Sequence, residues 1–428
     1  MKFEHQQRRG TTMKKITLFL SFFLVISFTF AQEIKWDGEV RVHGEFDNRD
    51  FEISTPPNYY TLLRARLGAF IQPIENVKVY FQIQDSRTFG EEKDVALKFS
   101  TTGYMRNLDL HQGYFQIDNF IFDNLSMKLG RMKLSYGNER IIEQGNWSNI
   151  GRSFDGGLLS YVIPNHKLDA FVFNTGETTL APLSATPNDV MYVRDYGKLF
   201  TGVYYTNTYF AEHHIDLYLL HQLDRRITVS GHNDLNRFTT GLFAKGSIRK
   251  EIFYEGDLAF QLGTKQDKDI TASLVGLTAG YKFENSYLST LSISYEHLSG
   301  TSEGNSSIRS FDIPYGSGHQ FYGFMDYFVN IPRDTYDRGL QDIYVRAILH
   351  PSDIIYLSFT LHDFHLAESL GGEKALGQEL DIIGNLKYNK FVSFELGACA
   401  FIPGKVIRTI FNGADVSQWA YLTARVSF

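Results

Sequence analysis

The sequence is poor in cysteine, in proline and in long apolar runs. It has one cysteine, Cys399, in 428 residues. No internal disulfide can form, and no CxxC or Cys/His spacing suggests zinc. Cys399 lies in an apolar, strand-like run and reads as a small packing residue. Beyond residue 31 no run approaches the ~20 apolar residues of a spanning helix, and the mean hydropathy of −0.22 also excludes a helical membrane bundle. That average does not exclude a spanning barrel, in which only alternate strand residues meet lipid. Catalytic signatures are missing too. There is no GxSxG, and Gly151-Arg152-Ser153-Phe154-Asp155 does not supply one. His213-His214 has no HExxH context. The chain offers no basic stripe within a known nucleic-acid module. It reads as a non-enzyme, without metal or cofactor and without a nucleic-acid partner.

Phe (36), Tyr (25) and Gly (36) are abundant, against 10 Pro. Aromatic residues suit strands and the interface girdles of membrane proteins. Residues 14–31 open with Lys14-Lys15, continue through a short apolar run from Ile16 to Phe30 and end on Ala31. This is the pattern of a secretory signal peptide, with cleavage expected after Ala31 and Met13 a candidate start. Residues 1–31 are therefore read as an N-terminal extension plus a cleaved signal, and 32–428 as the mature domain. The leader holds five basic groups and one acid, so its removal takes the formal charge from −6 to −10.

From residue 35 onward the pattern has period two. Leu63-Arg64-Ala65-Arg66-Leu67, Val77-Lys78-Val79-Tyr80-Phe81-Gln82-Ile83-Gln84, Leu291-Ser292-Ile293-Ser294-Tyr295 and Ile343-Tyr344-Val345-Arg346-Ala347 all alternate, which puts one residue set on each face of a sheet. Leu125-Ser126-Met127-Lys128-Leu129-Gly130 alternates and then slips at Arg131, suggesting a bulge. Short turn signals at Glu75-Asn76, Asp118-Asn119, Asp123-Asn124, Pro164-Asn165, Glu284-Asn285 and Tyr388-Asn389-Lys390 separate the runs. Longer polar stretches near 174–194, 298–319, 363–377 and 403–417 take turns with them. Short turns at one end and long loops at the other fit an antiparallel up-and-down transmembrane β-barrel. The chain ends Ala420-Tyr421-Leu422-Thr423-Ala424-Arg425-Val426-Ser427-Phe428, an alternating strand closed by Phe.

Several of these strands carry charge where lipid cannot be. Arg64 and Arg66 share one face, as do Gln82 and Gln84; Lys128, Arg131 and Lys133 follow on a later hairpin, and Arg346 stands near Asp342. A lipid-facing Arg or Lys near the midplane costs roughly 2–4 kcal/mol, so these side chains are expected in a polar lumen. There the guanidinium fork suits carboxylates. The alternative is structural: pairing with Asp85, Asp109, Asp155, Asp342, Glu379 or Asp381 to fill the barrel.

The Leu63–Gly68 and Gln82–Arg87 segments, Leu108–Tyr114, Leu129–Arg140, Trp147–Gly156, Gly318–Phe328 and Leu340–Arg346 together resemble the alginate-export porin family. The resemblance spans most of the mature chain. It implies an all-β monomeric outer-membrane barrel of about 18 strands in a Gram-negative bacterium, with an arginine-rich constriction. It further implies an anionic polysaccharide, an alginate-like polyuronate, as cargo. Lumen roles then fall to Arg64, Arg66, Arg87, Arg131, Arg140, Arg152 and Arg346, beside Gln82 and Gln84. Part of Trp147–Gly156 lacks alternation and is expected as a loop or inward plug. Expected partners are outer-membrane lipid, the barrel-assembly machinery and periplasmic export proteins. The rivals are a nutrient-uptake porin for small carboxylates or oligosaccharides, an outer-membrane enzyme and a plugged adhesive barrel.

Overall fold

The computed structural model describes residues 33–89, 106–176, 197–228, 231–284, 287–410 and 413–428. Residues 1–31, where a leader is expected, lie outside them, as does most of the polar stretch 174–194. The strands are β1 (Glu33–Asn48), β2 (Asn58–Ile74), β3 (Val77–Thr88), β4 (Arg106–Ile117), β5 (Leu125–Met132), β6 (Phe154–Ile163), β7 (His166–Gly176), β8 (Lys198–Asn207) and β9 (His213–Asp224). A two-residue pair, β10 (Ile227–Thr228) and β11 (Gly231–His232), stands apart. The series resumes with β12 (Leu235–Ser247), β13 (Ile252–Lys265), β14 (Lys268–Lys282), β15 (Leu288–Leu298), β16 (Leu340–Ser352), β17 (Ile355–Leu370), β18 (Glu373–Lys387), β19 (Val392–Pro403) and β20 (Ser417–Ser427). Two short helices, α1 (Ile331–Asp334) and α2 (Lys405–Ile410), lie in loops. Among the described residues no helix is long and apolar enough to cross a membrane.

All strands except β10 and β11 form one 18-stranded antiparallel sheet. Pairing of β1 with β20 closes it into a barrel and leaves no edge. At the seam Gly38 and Phe428 exchange backbone hydrogen bonds of 3.0 Å in both directions. A side chain on Gly38 would collide with the Phe428 ring. Alternation sets the faces as expected. Trp36, Phe81, Ile83, Leu219, Phe260, Leu361 and Leu422 are exposed on the outside. Their neighbours Arg41, Arg64, Gln82, Gln84, Asp257, Glu296 and Asp381 are buried on the inside.

Two expectations change. The stretch 363–377 is not a loop: β17 and β18 run through it and join at Gly371-Gly372, both with positive φ. The register at Gly130-Arg131 is unbroken; Gly130 takes φ 128° without an extra residue. The bulge sits on the preceding strand, β4, where His111 is the additional residue between the Gln82–Gln112 and Ile83–Leu110 pairs.

Two connections fold into the barrel. Residues 133–153, between β5 and β6, and 299–339, between β15 and β16, carry buried Leu134, Ile142, Phe311, Tyr322, Met325 and Phe328. The two loops join through a parallel bridge between Ile142 and Tyr315. The backbone N–H of Glu143 donates to Tyr315 O (2.8 Å), and that of Tyr315 donates to Ile141 O (3.1 Å).

Candidate functional site: a charged lumen crossed by two loops

The inner wall is divided by charge, and the register shows how. On one side Arg425 of β20 stands opposite Arg41 of β1, which stands opposite Arg64 of β2, followed by Ser86 of β3. Like charges directly opposite across strands repel, so the row needs acceptors. Glu39 supplies one carboxylate: Arg64 Nη2 lies 2.7 Å from Glu39 Oε1, and Arg425 Nε lies 3.6 Å from Glu39 Oε2. In the next inward row Glu39 faces Arg66, and Arg66 faces Gln84. Arg66 Nε donates to Gln84 Oε1 at 2.6 Å. Gln82 accepts from Gln112 (3.0 Å) and donates to Asp37 (3.3 Å).

The opposite side is acidic. A single cross-strand row runs Asp216–Phe243–Asp257–Gly276–Glu296–Asp342 from β9 to β16. Asp381 and Glu379 follow on β18, both fully buried.

Loop 133–153 spans the two sides and matches each. Toward the acidic wall it offers donors. Tyr136 Oη donates to Asp169 (2.6 Å), and Asn138 Nδ2 donates to Glu255 (2.8 Å) and Asp257 (2.7 Å). Arg140 bridges Asp257 (2.9 Å) and Glu296 (2.6 Å), with all three side chains at most 2% exposed. Burial alone would lower the Arg140 guanidinium. Glu296 and Asp257 outweigh it and hold the group well above its usual range. Arg140 also lies 3.9 Å from the Phe321 ring centre of the second loop. Toward the basic wall the same loop turns carbonyls. Arg41 Nη1 donates to Asn146 O (2.9 Å) and Trp147 O (2.8 Å), Arg64 Nη1 to Asn146 O (3.0 Å) and Ser148 O (2.8 Å), and Arg66 Nη2 to Ile150 O (3.2 Å). Trp147 stacks on His319 of the second loop, ring centres 3.8 Å apart.

The second loop rests on the acidic wall through its backbone. Met325 N–H donates to Glu379 (2.9 Å) and Phe324 N–H to Asp381 (3.4 Å). Burial lifts the Glu143 carboxyl, on the first loop, above the usual carboxylate range, against the pull of Arg152.

Of the arginines expected in the lumen, Arg64, Arg66 and Arg346 face it, and Gln82 and Gln84 line it as well. Arg346 Nε donates to Thr360 (3.1 Å) and its guanidinium lies over Tyr344. Arg140 and Arg152 belong to the inward loop rather than the wall. Arg152 donates to the carbonyls of Glu143 and Tyr315. Arg87 and Arg131 lie elsewhere. Their strand positions alternate with Ser86 and Met132, on the same face as Ile83 and Leu129, and each pairs with an acid there, Asp85 and Asp155 respectively. The slip leaves Arg131 in the outward phase of Leu129 because no bulge restores the inward one, but at the strand end its side chain, with Asp155, borders the cavity beside the first loop. Asp342, Glu379 and Asp381 were anticipated as interior acids, but Arg41, Arg425, Asp216, Asp257 and Glu296 were missed, although Val40-Arg41-Val42 and Ala424-Arg425-Val426 show the same charge-between-apolar signal as Leu63-Arg64-Ala65. His213 and His214 point to opposite faces, toward Tyr254 Oη (3.0 Å) and Asp216 (2.8 Å). A polar cavity of about 600 Å³ lies beside the first loop, lined by His111, Arg131, Arg152, Ser153, Asn174 and Tyr315 among others.

A closed 18-stranded barrel with an apolar outside, a charged inside and two loops folded into the lumen defines an outer-membrane channel. The chain belongs to the alginate export family, whose model matches residues 30–415. A search of the curated proteins finds no match. Solved barrels share the fold at low identity. OccAB4 of Acinetobacter baumannii superposes with a TM-score of 0.61 at 12% identity, covering 93% of this chain and 98% of that one. OpdK of Pseudomonas aeruginosa, solved with vanillate, gives 0.60 at 12%, covering 93% and 99%. A BenF-like porin from Pseudomonas fluorescens gives 0.60 at 10%, with the same coverage.

Proposed function

We propose that this protein is a monomeric, passive channel of a Gram-negative outer membrane for carboxylate-bearing solutes, with an alginate-like polyuronate as the preferred cargo. The observation that carries the reading is the row Arg425–Arg41–Arg64 with Arg66 beneath it, four guanidinium groups on adjacent strands around Glu39. Arg forms bidentate, charge-assisted bonds with carboxylates, and repeated carboxylates along a chain match repeated guanidinium groups along a wall. Family membership supports a polyuronate. No bond is made or broken in such transport, and each contact must be weak enough to release. A leader over residues 14–31 would deliver the chain to the periplasm, from which the assembly machinery inserts it.

The second reading, uptake of small carboxylates, is favoured by the two loops that cross the lumen and by the similar barrel solved with vanillate, itself a carboxylate. Efflux from proteoliposomes separates them. Oligogalacturonate leaving faster than a neutral oligosaccharide of equal length supports the polyuronate channel. Release of benzoate-sized carboxylates alone supports the second reading. Equal rates for charged and neutral sugars contradict both.

A further inference from the structure

The segment Gly145–Gly151 has the build of a separate unit within the first loop. Its neck is closed by the backbone bond from Arg152 N–H to Gln144 O at 2.8 Å. Its ends are tied by Ser148, whose hydroxyl donates to Gly145 O (3.1 Å) and accepts from Gly151 N–H (2.9 Å). Compact loops with close ends are packed by their own side chains and are frequently functional. Gly145 and Gly151 take φ of 67° and 79°, a backbone region that other residues enter only at a cost. The anchors of the loop lie outside the neck, at Asn138, Arg140 and Arg152.

What this segment covers is the basic row. Carbonyl oxygens of Asn146, Trp147, Ser148 and Ile150 accept from Arg41, Arg64 and Arg66. Side-chain oxygens of Asn146 and Asn149 add longer contacts of 3.3 Å to Arg66 and Arg41. Ser86, fully buried, donates to Asn149 O at 2.8 Å. Every one of these acceptors is neutral. The wall beneath holds more donors than they satisfy: Arg41 Nε and Gln84 Nε2 are buried without a hydrogen-bond partner, and their residues are at most 2% exposed. Leaving such donors unmet is costly, and beside guanidinium groups an anion is the acceptor that relieves the cost most.

We infer that Gly145–Gly151 is a strap that occupies the carboxylate path with its own carbonyls and is displaced by cargo. The inference rests on the carboxylate reading given above for what displaces it. A carboxylate gives a guanidinium an opposite full charge and a bidentate fork of acceptors, neither of which a neutral carbonyl supplies. A polyuronate therefore competes for the arginines, and the strap swings on its two glycines while Arg140 keeps the rest of the loop in place. The resting channel is narrow, and it widens when cargo arrives.

The test locks the strap. In a Cys399→Ala background, Ser86→Cys with Asn149→Cys places thiols on the wall and on the strap. They are bridged by oxidation or by a short bifunctional thiol reagent, and then released by reductant on the same planar bilayer. Current is recorded in potassium chloride with and without oligogalacturonate. The strap predicts a low, steady conductance when bridged. On release it predicts severalfold larger openings that become more frequent with oligogalacturonate. Equal conductance and equal response in the two states overturn it. Openings that depend on release but ignore oligogalacturonate uphold the strap as a movable barrier and count against the carboxylate reading. If the double variant does not give a barrel of shifted, unheated gel mobility, Asn149→Ala takes its place. It removes the strap's side-chain bonds to Arg41 and to the Leu63 and Arg87 carbonyls, and current noise no greater than wild type then overturns the inference.

Discussion

Gly276 leaves the gap in the wall that Arg140 fills. A Cβ at this position would lie 2.6 Å from Glu296 Oε2 and 3.0 Å from Arg140 Cζ. The absent side chain on β14 admits a guanidinium between Asp257 and Glu296, on the strands to either side. The first inward loop is fastened across the lumen at this point.

Arg140→Ala leaves two buried carboxylates without their cation, a loss of about 3–5 kcal/mol for pairs of this kind. The barrel strands are expected to persist while the loop detaches. Limited proteolysis should cut within 133–153 in Arg140→Ala and in Gly276→Val, and not in wild type. An uncut loop in both variants would show that the anchor lies elsewhere.

Arg87 tests the assignment of faces. It pairs with Asp85 at an outward-facing position. Its replacement by Gln should leave ion selectivity unchanged, whereas Arg41→Gln with Arg64→Gln should reduce it. A selectivity change of similar size from Arg87→Gln would place it in the pathway.

Trp147 holds the strap by its ring. It stacks on His319 and meets the edges of Tyr421 and His43, with ring centres 5.1 and 5.2 Å away. Trp147 is partly buried, so Trp147→Ala removes less than the about 3–5 kcal/mol lost with a fully buried aromatic. Single-channel records should show more frequent and larger openings; an unaltered record would deny the ring this role.

Glu143 gives the loop a pH dependence. Burial raises its carboxyl above the unfolded value, so the protonated form favours the packed loop. Its contribution is full below the ordinary carboxylate range and is lost as pH rises through the raised value. Protease sensitivity of the loop should therefore increase with pH over that interval, and Glu143→Gln should flatten the increase. Parallel profiles for the variant and wild type would remove Glu143 from the explanation.

The barrel was legible because alternation is local. Arg64 between Leu63 and Ala65 declares its face within three residues, and Glu75-Asn76 declares its turn within two. The inward loops were only partly legible. Trp147–Gly156 broke the alternation, which marked a loop, but Arg140 reaches Asp257 and Glu296 across 117 and 156 residues. No local pattern records that pairing. The charge division of the lumen was hidden for a related reason. Asp216, Asp257, Glu296 and Asp342 form a row only once the register of six strands is set. Arg131 misled because a slip in alternation reads equally as a bulge or as a residue turned outward.

The most direct measurement of the central claim is the reversal potential of the refolded protein in a planar bilayer under a potassium chloride gradient, for wild type and for Arg41→Gln with Arg64→Gln. The account predicts anion selectivity in wild type that moves toward cations in the variant. A cation-selective wild type, or a variant with an unchanged potential, would mean that the acidic row governs the passage and would contradict the arginine path.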